Sequence, residues 1–310
     1  MSKQIRVFAS ATVANVSCGF DVLGFAIDQP GDEITVRLRE EPGVVIKSIT
    51  GDEGRLPRDP QKNTAGVSVK KYLEHIGFDR GVEIELYKGI PIGSGLGSSA
   101  TSAVAGVFGV NALLGKPLER EELLPFAREG ERVASGTAHA DNIAPSLLGG
   151  FTLIRSYDPL DVVKLKIPAQ LYCSVVLPEL EVQTKMAREI LQDQIPLNKA
   201  VVQWGNLAGF IAGLTTSDYD LIGRSLQDVI IEPERSKLIP GFETVKQAAL
   251  EAGALGCGIS GSGPSLFALT IDKQTAGKVG EAMKSAFLRK QIRSRVYVSG
   301  INQHGPVILS

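Results

Sequence analysis

The segment 91–100 carries the clearest chemical signal in the sequence, because it reads Pro-Ile-Gly-Ser-Gly-Leu-Gly-Ser-Ser-Ala. It follows an alternating apolar and polar stretch, which is typical of a strand, and it precedes small residues at helical spacing. A glycine-rich turn before a helix presents free backbone N–H groups and the positive end of the helix dipole to an anion. The segment therefore predicts a phosphate-binding loop, and a purely structural turn that caps the helix is the alternative.

Other known phosphate loops fit this segment less well. Neither Gly-Lys pair of the chain is followed by Ser or Thr, so a Walker A loop is excluded. Gly95, Gly97 and Ala100 do satisfy the Gly-x-Gly-x-x-Ala pattern of dinucleotide-binding loops. The strand before such a loop is buried on both faces, whereas Glu83 and Glu85 line one side of the strand here. The His-Arg-Asp and Asp-Phe-Gly motifs of protein kinases are also absent from the sequence.

Strands and helices follow one another around the loop in no strict alternation. Period-two patterns predict strands at 34–39 and 82–87, each with one polar face, which is typical of antiparallel pairing. Helical spacing predicts helices at 64–76, 99–114, 119–134, 183–192, 199–215, 242–252 and 274–289, the third with a kink or split at Pro125. This order favours an α+β fold over a doubly wound parallel sheet. Prolines break the pattern within 156–169, where we expect a domain boundary.

Composition limits the partners and the compartment of the protein. Across 310 residues, 33 Lys and Arg balance 34 Asp and Glu, so no global field attracts nucleic acid or an anionic membrane. The uncharged segment 89–115 is too rich in glycine and hydroxyl residues for a membrane span. Three widely spaced cysteines argue against a cage of soft metal ligands and suit a reducing compartment. We therefore expect a cytoplasmic protein without nucleic-acid or membrane partners, and the sequence leaves a homodimer open.

Further motifs lie in order before and after the loop. They are the segment 10–24, which contains Asn15 and Gly19-Phe20-Asp21; His139-Ala140-Asp141-Asn142-Ile143-Ala144-Pro145; Thr184-Lys185-Met186-Ala187-Arg188; Glu232-Pro233-Glu234-Arg235; and Gly258-Ile259-Ser260-Gly261-Ser262-Gly263-Pro264-Ser265. Together with the loop, these motifs cover nearly the whole chain and resemble those of the GHMP small-molecule kinases. Within that family they are most similar to the branch whose acceptor is L-homoserine.

The resemblance implies an α+β fold of two domains. Residues 1–165 would form the ATP-binding domain, similar to ribosomal protein S5 domain 2, and residues 166–310 a ferredoxin-like domain. It also implies Mg²⁺ and ATP, with phosphoryl transfer to the side-chain hydroxyl of L-homoserine, giving O-phospho-L-homoserine for threonine biosynthesis. A kinase of this family for another small alcohol, and a non-catalytic regulator of the same fold that binds ATP or a metabolite, are the alternatives.

The resemblance assigns one set of residues to ATP and its metal ion. The ATP-binding residues would be Asn63, Pro91, Ile92, Gly93, Ser94, Gly95, Leu96, Gly97, Ser98, Ser99, Ala100 and Thr101. Ser98 and Glu131 would hold Mg²⁺, although the sequence does not decide between the hydroxyls of Ser98 and Ser99. From the residues alone, Asn63 equally predicts a helix N-cap, and Glu131 a solvated acid within a charged run.

A second set of residues would bind the acceptor. Its members are Asn15, Asp21, His139, Asn142, Thr184, Arg188, Arg235 and Gly261. Arg188 and Arg235 would clamp the acceptor carboxylate, because a guanidinium group bonds a carboxylate at two points, and Asp21 would neutralise its ammonium or accept from its hydroxyl. Asn142, Asp141 and Arg235 would be catalytic. We favour direct transfer with Asn142 orienting the hydroxyl, while Asp141 is the alternative general base or a helix N-cap.

Overall fold

The computed structural model describes residues 4–136 and 139–310. Residues 1–3, 137 and 138, which the predicted first domain includes, lie outside the described residues. Two mostly antiparallel sheets carry helices packed against them, which confirms the predicted α+β fold. Among the described residues, no helix combines the length and the apolar character needed to cross a bilayer.

The first sheet is antiparallel except at one pair of strands. Its strands are β1 (Gln4–Ala14), β2 (Leu23–Arg39), β3 (Val44–Thr50), β4 (Gly81–Tyr87), β5 (Phe151–Tyr157), β6 (Leu160–Leu165) and β11 (Val307–Ile308). The main order is β11-β1-β2-β4-β3, and β5 joins β6 to β2. Strand β3 lies parallel to β4, so these strands and the helix between them form a β-α-β unit. As the alternation predicts, Ile34 and Val36 are buried, while Arg37 pairs with Glu83 and Glu85 on the polar face.

Three of the four helices described in the first half of the chain pack against this sheet. The four are α1 (Thr64–Ile76), α2 (Ser98–Leu113), α3 (Leu124–Ser135) and α4 (Ile143–Leu148), and α3 is the one that packs on α1 and α2 instead. Helix α2 contacts β1 and β2, and nearly all its side chains are buried, which explains why it carries no charge. A 3₁₀ turn comes before α3, and Pro125 lies in the first turn of α3. The predicted helix 119–134 is therefore split, with proline at a helix start, where its missing N–H costs nothing.

The second sheet has four antiparallel strands. They are β7 (Tyr172–Pro178), β8 (Gly256–Ile259), β9 (Leu266–Thr270) and β10 (Ser294–Gly300), and they are arranged in the order β10-β7-β9-β8. Helices separate β7 from β8 and β9 from β10, so this half has the strand order 4-1-3-2 of a split β-α-β arrangement. This topology confirms the predicted ferredoxin-like architecture.

Helices of the second half vary widely in length. They are α5 (Thr184–Glu189), α6 (Leu197–Thr216), α7 (Tyr219–Ser225), α8 (Glu232–Arg235), α9 (Phe242–Glu251) and α10 (Lys273–Arg289). Helices α9 and α10 share a core with the second sheet. The predicted helix at 183–192 ends early, at Glu189. Helices α7 and α8 were not predicted, because elements of one or two turns are too short to show a period.

The two sheets share one of the hydrophobic clusters. The ring of Phe25 in β2 stacks on Phe151 in β5 at 4.5 Å and meets Phe267 in β9 edge-on at 5.9 Å. The chain also returns to the first sheet after β10, where the main-chain N–H of Asn302 donates to the Ala26 carbonyl at 2.9 Å. Packing and main-chain pairing therefore cross the predicted division at residue 165.

Candidate active site

The glycine-rich segment 91–97 leads into the first turn of α2. Gly93, Gly95 and Gly97 have φ angles of 72°, 76° and 69°, in the left-handed region that favours glycine. Gly97 is the N-cap of α2 and has no side chain, so no side chain caps the N–H groups of the first turn. These N–H groups and the helix dipole form an arrangement that can bind an anion, which is what the sequence predicts for a phosphate loop.

The C-terminal glycine motif, 258–265, packs directly on this loop. Ser260 Oγ donates to the carbonyl of Gly95 at 2.8 Å, and the N–H of Ser265 donates to the carbonyl of Ser94 at 3.3 Å. A Cβ on Gly95 would lie 2.5 Å from the Ser260 carbonyl oxygen and 2.6 Å from that of Gly263. The two motifs can therefore meet only because position 95 has no side chain.

A buried ion pair lies beneath the start of α2. Lys88 Nζ bonds the carboxylate of Asp32, and the two side chains are 1% and 0% exposed. Lys88 also donates to the carbonyl of Ser98 at 2.8 Å, and Asp32 accepts from the main-chain N–H groups of Gly89 and Ile90, each at 3.1 Å. The pair therefore connects β2, the entry of the loop and the first turn of the helix.

Several side chains of the predicted ATP set face the interior. Ser94, Leu96, Ala100 and Thr101 are buried, so the main chain, rather than these side chains, is left to meet a nucleotide. Pro91 and Ile92 are only partly buried and lie at the entry of the loop.

Asn63 uses its side chain to cap α1. Its Oδ1 accepts from the N–H groups of Ala65 at 3.1 Å and Gly66 at 3.4 Å, and its Nδ2 donates to the Pro57 carbonyl at 3.0 Å. The structure thus shows the N-cap that the sequence allowed. A contact to adenine through this amide would have to replace one of these hydrogen bonds.

The two serines that open α2 point to different partners. Ser98 Oγ donates to the carbonyl of Ile90 at 3.0 Å, whereas Ser99 Oγ donates to Glu131 Oε2 of α3 at 2.7 Å. The hydroxyl beside Glu131 is therefore that of Ser99 and not that of Ser98, which we predicted as the metal ligand. Mg²⁺ prefers oxygen ligands and often takes one or two carboxylates, waters and substrate phosphates, which this pair fits. Within residues 4–136 and 139–310, no group of three or more His, Cys, Asp or Glu could hold a metal ion.

Asn142 lies between the loop and the motif 139–145. Its Oδ1 accepts from Thr12 Oγ1 at 2.7 Å, and a Cβ on Gly97 would lie 2.8 Å from the same oxygen. Asn142 precedes α4, but its side chain forms no capping hydrogen bond. The amide therefore lies against the end of the predicted phosphate loop.

Asp141 is a buried carboxyl group next to Asn142. It is 4% exposed. Burial, followed by the negative charges of Asp21 and Glu131, raises the pKa of Asp141 to about 7. The N-cap position of α4 belongs to Asn142, so Asp141 does not occupy the capping position that we considered for it. A carboxyl group that titrates near neutral pH can act as a general base or acid.

Arg188 and Asp21 form a two-point ion pair close to Asp141. Nη1 of Arg188 lies 2.7 Å from Oδ2 of Asp21, and Nη2 lies 3.0 Å from Oδ1. The same Nη2 lies 3.1 Å from Nε2 of His139. A guanidinium group can only donate, so Nε2 is the acceptor, and burial lowers the pKa of His139, which favours the neutral imidazole that can accept. The predicted acceptor residues of both halves of the chain thus meet at this point.

Arg235 and Asn15 share the carbonyl group of Gly261. Arg235 Nη1 donates to it at 2.9 Å and Asn15 Nδ2 at 2.8 Å, while Arg235 Nε donates to the Ala187 carbonyl at 3.1 Å. Arg235 is 3% exposed, and burial, followed by the charge of Arg188, lowers its pKa to about 10. Of the predicted acceptor set, Thr184 lies at the exposed rim, with Oγ1 3.4 Å from the hydroxyl of Ser262.

Two further residues at this site, Thr12 and Tyr157, had no predicted role. Thr12 orients the amide of Asn142, as described above. The hydroxyl of Tyr157 donates to the carbonyl of Asp21 at 2.6 Å and accepts from the N–H of Ala140 at 3.3 Å. Thr12 lies inside the motif 10–24, which is the signal that could have identified it, whereas Tyr157 lies in the segment 156–169, for which we predicted only a domain boundary.

Comparisons with known proteins place these features in a family. The descriptions that match the chain are GHMP kinases N terminal domain, over residues 63–150, and GHMP kinases C terminal, over residues 210–289. A homoserine kinase of Chlorobium phaeobacteroides is 53% identical over 319 residues, which cover 99% of this chain and 100% of that protein.

Solved structures give the same result. The homoserine kinase of Cytophaga hutchinsonii matches with a TM-score of 0.98 at 61% identity, over 100% of this chain and 98% of that one. The mevalonate kinase of L. major, in complex with R-mevalonate, matches with a TM-score of 0.71 at 16% identity, over 97% of this chain and 96% of that one. At that identity the second match shows a shared fold only.

Proposed function

This chain belongs to the homoserine kinases within the GHMP kinase family, and we propose that it transfers the γ-phosphoryl group of ATP to the side-chain hydroxyl of L-homoserine. The product would be O-phospho-L-homoserine, an intermediate of threonine biosynthesis in the cytoplasm. The observation that carries the proposal is the position of Asn142, whose Oδ1 lies 2.8 Å from where a Cβ of Gly97 would be. A hydroxyl held by Asn142 would therefore lie next to phosphates held by the loop.

The loop residues would bind ATP through their main chain. The uncapped N–H groups at the start of α2 and the glycines at 93, 95 and 97 suit the oxygens of the phosphate chain. Phosphoryl transfer depends mostly on positioning and on neutralising charge, so a rigid cradle of this kind is what the reaction needs.

Glu131 and Ser99 would hold Mg²⁺. They come from neighbouring helices, and their oxygens are 2.7 Å apart at the edge of the loop. When bound, the ion would supply positive charge to the phosphates. One carboxylate and one hydroxyl are enough for an ion that keeps several waters and shares phosphate oxygens.

Arg188, Arg235 and Asp21 would recognise the amino-acid part of the acceptor. The two arginines bring two positive charges, and Asp21 pairs with Arg188. The surplus positive charge suits the carboxylate of homoserine, and the oxygens of Asp21 suit its ammonium. Asn15, His139, Thr184 and Gly261 would complete this site.

The acceptor proton has two possible routes. We favour direct transfer, in which Asn142 donates from Nδ2 to the hydroxyl oxygen and the phosphate receives the proton. Asp141, whose pKa is raised to about 7, is the alternative general base, because much of it is ionised at neutral pH.

An assay of ADP release across several acceptors tests the proposed function. Homoserine, mevalonate, a set of sugars and shikimate would each be added to the enzyme with Mg·ATP, and the product would be identified by ³¹P NMR. Turnover of homoserine with formation of a phosphate monoester is the expected result. Turnover of another acceptor alone, or ATP binding without turnover of any, would contradict it.

We propose that the two halves of the chain contribute differently to substrate binding. Residues 1–165 would bind ATP, and residues 166–310 would complete the acceptor site, with Asn15, Asp21, His139 and Asn142 contributed by the first half. The contact of Ser260 Oγ with the loop at Gly95 supports a single site between the halves.

We also propose a homodimer formed through α6. Leu197, Val201 and Trp204 follow one another at helical spacing and are 70%, 55% and 60% exposed. Lys199 is the only charged residue of this helix, so two copies could approach without repulsion.

Trp204 is the only tryptophan of the sequence, so its fluorescence reports on this face. The fluorescence emission of Trp204 should shift to the blue as the molecular mass in solution rises with protein concentration. Trp204→Glu should give monomers. A wild-type protein that stays monomeric at all concentrations would contradict the proposal.

A further inference from the structure

Two positively charged side chains of the acceptor site contact the same aromatic ring. The guanidinium carbon of Arg188 lies 4.9 Å from the centroid of the Phe20 ring, and that of Arg235 lies 5.0 Å from it. Both distances are within the range in which the electrons of a ring face attract a cation. Phe20 is therefore shared by the two residues that would clamp the acceptor carboxylate.

The turn that carries Phe20 is fixed on both sides. The N–H of Gly19 donates to the Asn15 carbonyl at 2.8 Å, and the N–H of Leu23 donates to the Gly19 carbonyl at 2.9 Å. The next residue, Asp21, has a left-handed φ of 58° and bonds Arg188 through its carboxylate. Consecutive residues of one turn thus contact the guanidinium group of Arg188 in two ways: the Phe20 ring lies over its central carbon, and the Asp21 carboxylate bonds its Nη atoms.

Within residues 4–136 and 139–310, Arg235 forms no ion pair with a carboxylate. Among the described residues it donates to two main-chain carbonyls, those of Ala187 and Gly261, and it is 3% exposed. Holding a buried guanidinium beside the like charge of Arg188 costs free energy. Asp21 already neutralises one of the two charges by pairing with Arg188. A second carboxylate could offset the remaining cost, but it would also cancel the remaining charge and compete with the carboxylate of the acceptor. A ring face attracts the cation and leaves its net charge in place for a ligand.

We propose that Phe20 is a positioning residue that holds the guanidinium groups of Arg188 and Arg235 together for one carboxylate ligand. The inference rests on the proposed function, because the carboxylate is that of the amino-acid acceptor. Phe20 contacts the arginines, acts through them, and thereby favours acceptors that carry a carboxylate.

Substitutions that separate the shape of the ring from its electrons test this role. Phe20→Leu should raise KM for homoserine on the order of tenfold, since losing a cation–π contact to a buried cation such as Arg235 weakens binding by about that factor. We expect kcat to change by less than about twofold, and KM for ATP to stay constant. Phe20→Tyr keeps the ring and should stay within about twofold of the wild type. Phe108→Leu, which removes a ring 5.1 Å from Arg120 at a distance from the site, is the matched control and should leave KM for homoserine unchanged.

A series of fluorinated phenylalanines at position 20 covers the case in which Phe20→Leu fails to fold. Fluorine withdraws electrons from the ring face with little change in volume, so KM for homoserine should rise with each added fluorine. A flat series, or a Phe20→Tyr variant as impaired as Phe20→Leu, would overturn the inference. If the wild type does not phosphorylate homoserine at all, the proposed function fails. If it does, and the Phe20 series is flat, only this inference fails.

Discussion

Arg188 in α5 and Asp21 in the turn after β1 meet at two points, with N–O distances of 2.7 and 3.0 Å. This pair connects the second half of the chain to the first, and it depends on the planar fork of the guanidinium group. A lysine at either arginine position of the acceptor site would keep the charge and lose the fork.

Arg188→Lys and Arg235→Lys should each mainly raise KM for homoserine. A charged hydrogen bond contributes about 1.5–3 kcal/mol, so kcat/KM for homoserine should fall roughly tenfold to a hundredfold. KM for ATP should stay nearly constant in steady-state kinetics. Arg155→Lys, in an ion pair with Asp161 whose arginine is 62% exposed, is the matched control and should behave as the wild type. An unchanged KM for homoserine in both site variants would remove the carboxylate clamp.

The roles of Asp141 and Asn142 can be separated by kinetics at saturating Mg·ATP. If transfer is direct, Asp141→Asn should cost well under a hundredfold in kcat and keep the acid limb of the pH profile, while Asn142→Leu should cost more. A general base at Asp141 would instead give a loss of about 10²–10⁴-fold and a flattened limb near pH 7. That second pattern, with Asn142→Leu nearly normal and both variants folded by circular dichroism, would contradict direct transfer.

Asp141 should also make the stability of the protein depend on pH. Its pKa is raised to about 7 in the folded chain, first by burial, and the unfolded chain has the ordinary lower value. The folded protein therefore binds more protons between the two values, so its free energy of unfolding falls as the pH rises through about 7. Asp141→Asn removes this term and should raise Tm relative to the wild type more at pH 8 than at pH 5. Equal changes in Tm at both pH values would contradict the raised pKa.

Glu131→Gln should weaken the use of Mg²⁺ with little effect on folding, because the carboxylate charge is lost and its shape is kept. The Mg²⁺ concentration for half-maximal rate should rise, and Ser99→Ala should have a smaller effect in the same direction. Ser98→Ala should leave it unchanged, because that hydroxyl is bonded to the carbonyl of Ile90. Glu129→Gln, on the same helix and paired with Arg132 at 3.1 Å, is the control. An unaltered Mg²⁺ dependence in Glu131→Gln would exclude Glu131 as a ligand.

Gly95→Ala should abolish ATP binding in a titration that follows nucleotide affinity. The new Cβ would meet the carbonyls of Ser260 and Gly263 at 2.5 and 2.6 Å, and the φ of 76° is unfavourable to alanine. Gly115→Ala separates these two causes, because Gly115 has a φ of 90° with nothing within 4 Å of its Cβ position. This control should lose some stability and still bind ATP. Normal affinity in a folded Gly95→Ala variant would favour a purely structural turn.

The sequence predicted the parts of this protein that depend on neighbours along the chain. Alternation at 34–39 and 82–87 indicated antiparallel strands with a polar face, and the structure has them in register. Glycines followed by Ser98 and Ser99 indicated a loop at the start of a helix, because positive φ and an uncapped turn are local properties.

Contacts between distant parts of the chain were beyond the sequence. Lys88 and Asp32 lie just outside the alternating segments 82–87 and 34–39, and charged residues are mostly exposed, yet their side chains are almost fully buried because each neutralises the other. The choice of Ser99 over Ser98 at Glu131 depends on where α3 lies beside α2. Phe20 was quoted in a motif without a role, since its contacts with Arg188 and Arg235 exist only after both halves fold.

The return of the chain to the first sheet through β11 affects any attempt to isolate residues 1–165. Strand β1 is covered on its outer side by β11, whose residues Val307 and Ile308 pair with Phe8 and Val7. A fragment of residues 1–165 would therefore present an unprotected row of N–H and C=O groups along β1. Open strand edges recruit other chains, so such a fragment would be prone to aggregate in the test tube even though the strands of its own β-α-β unit are all present.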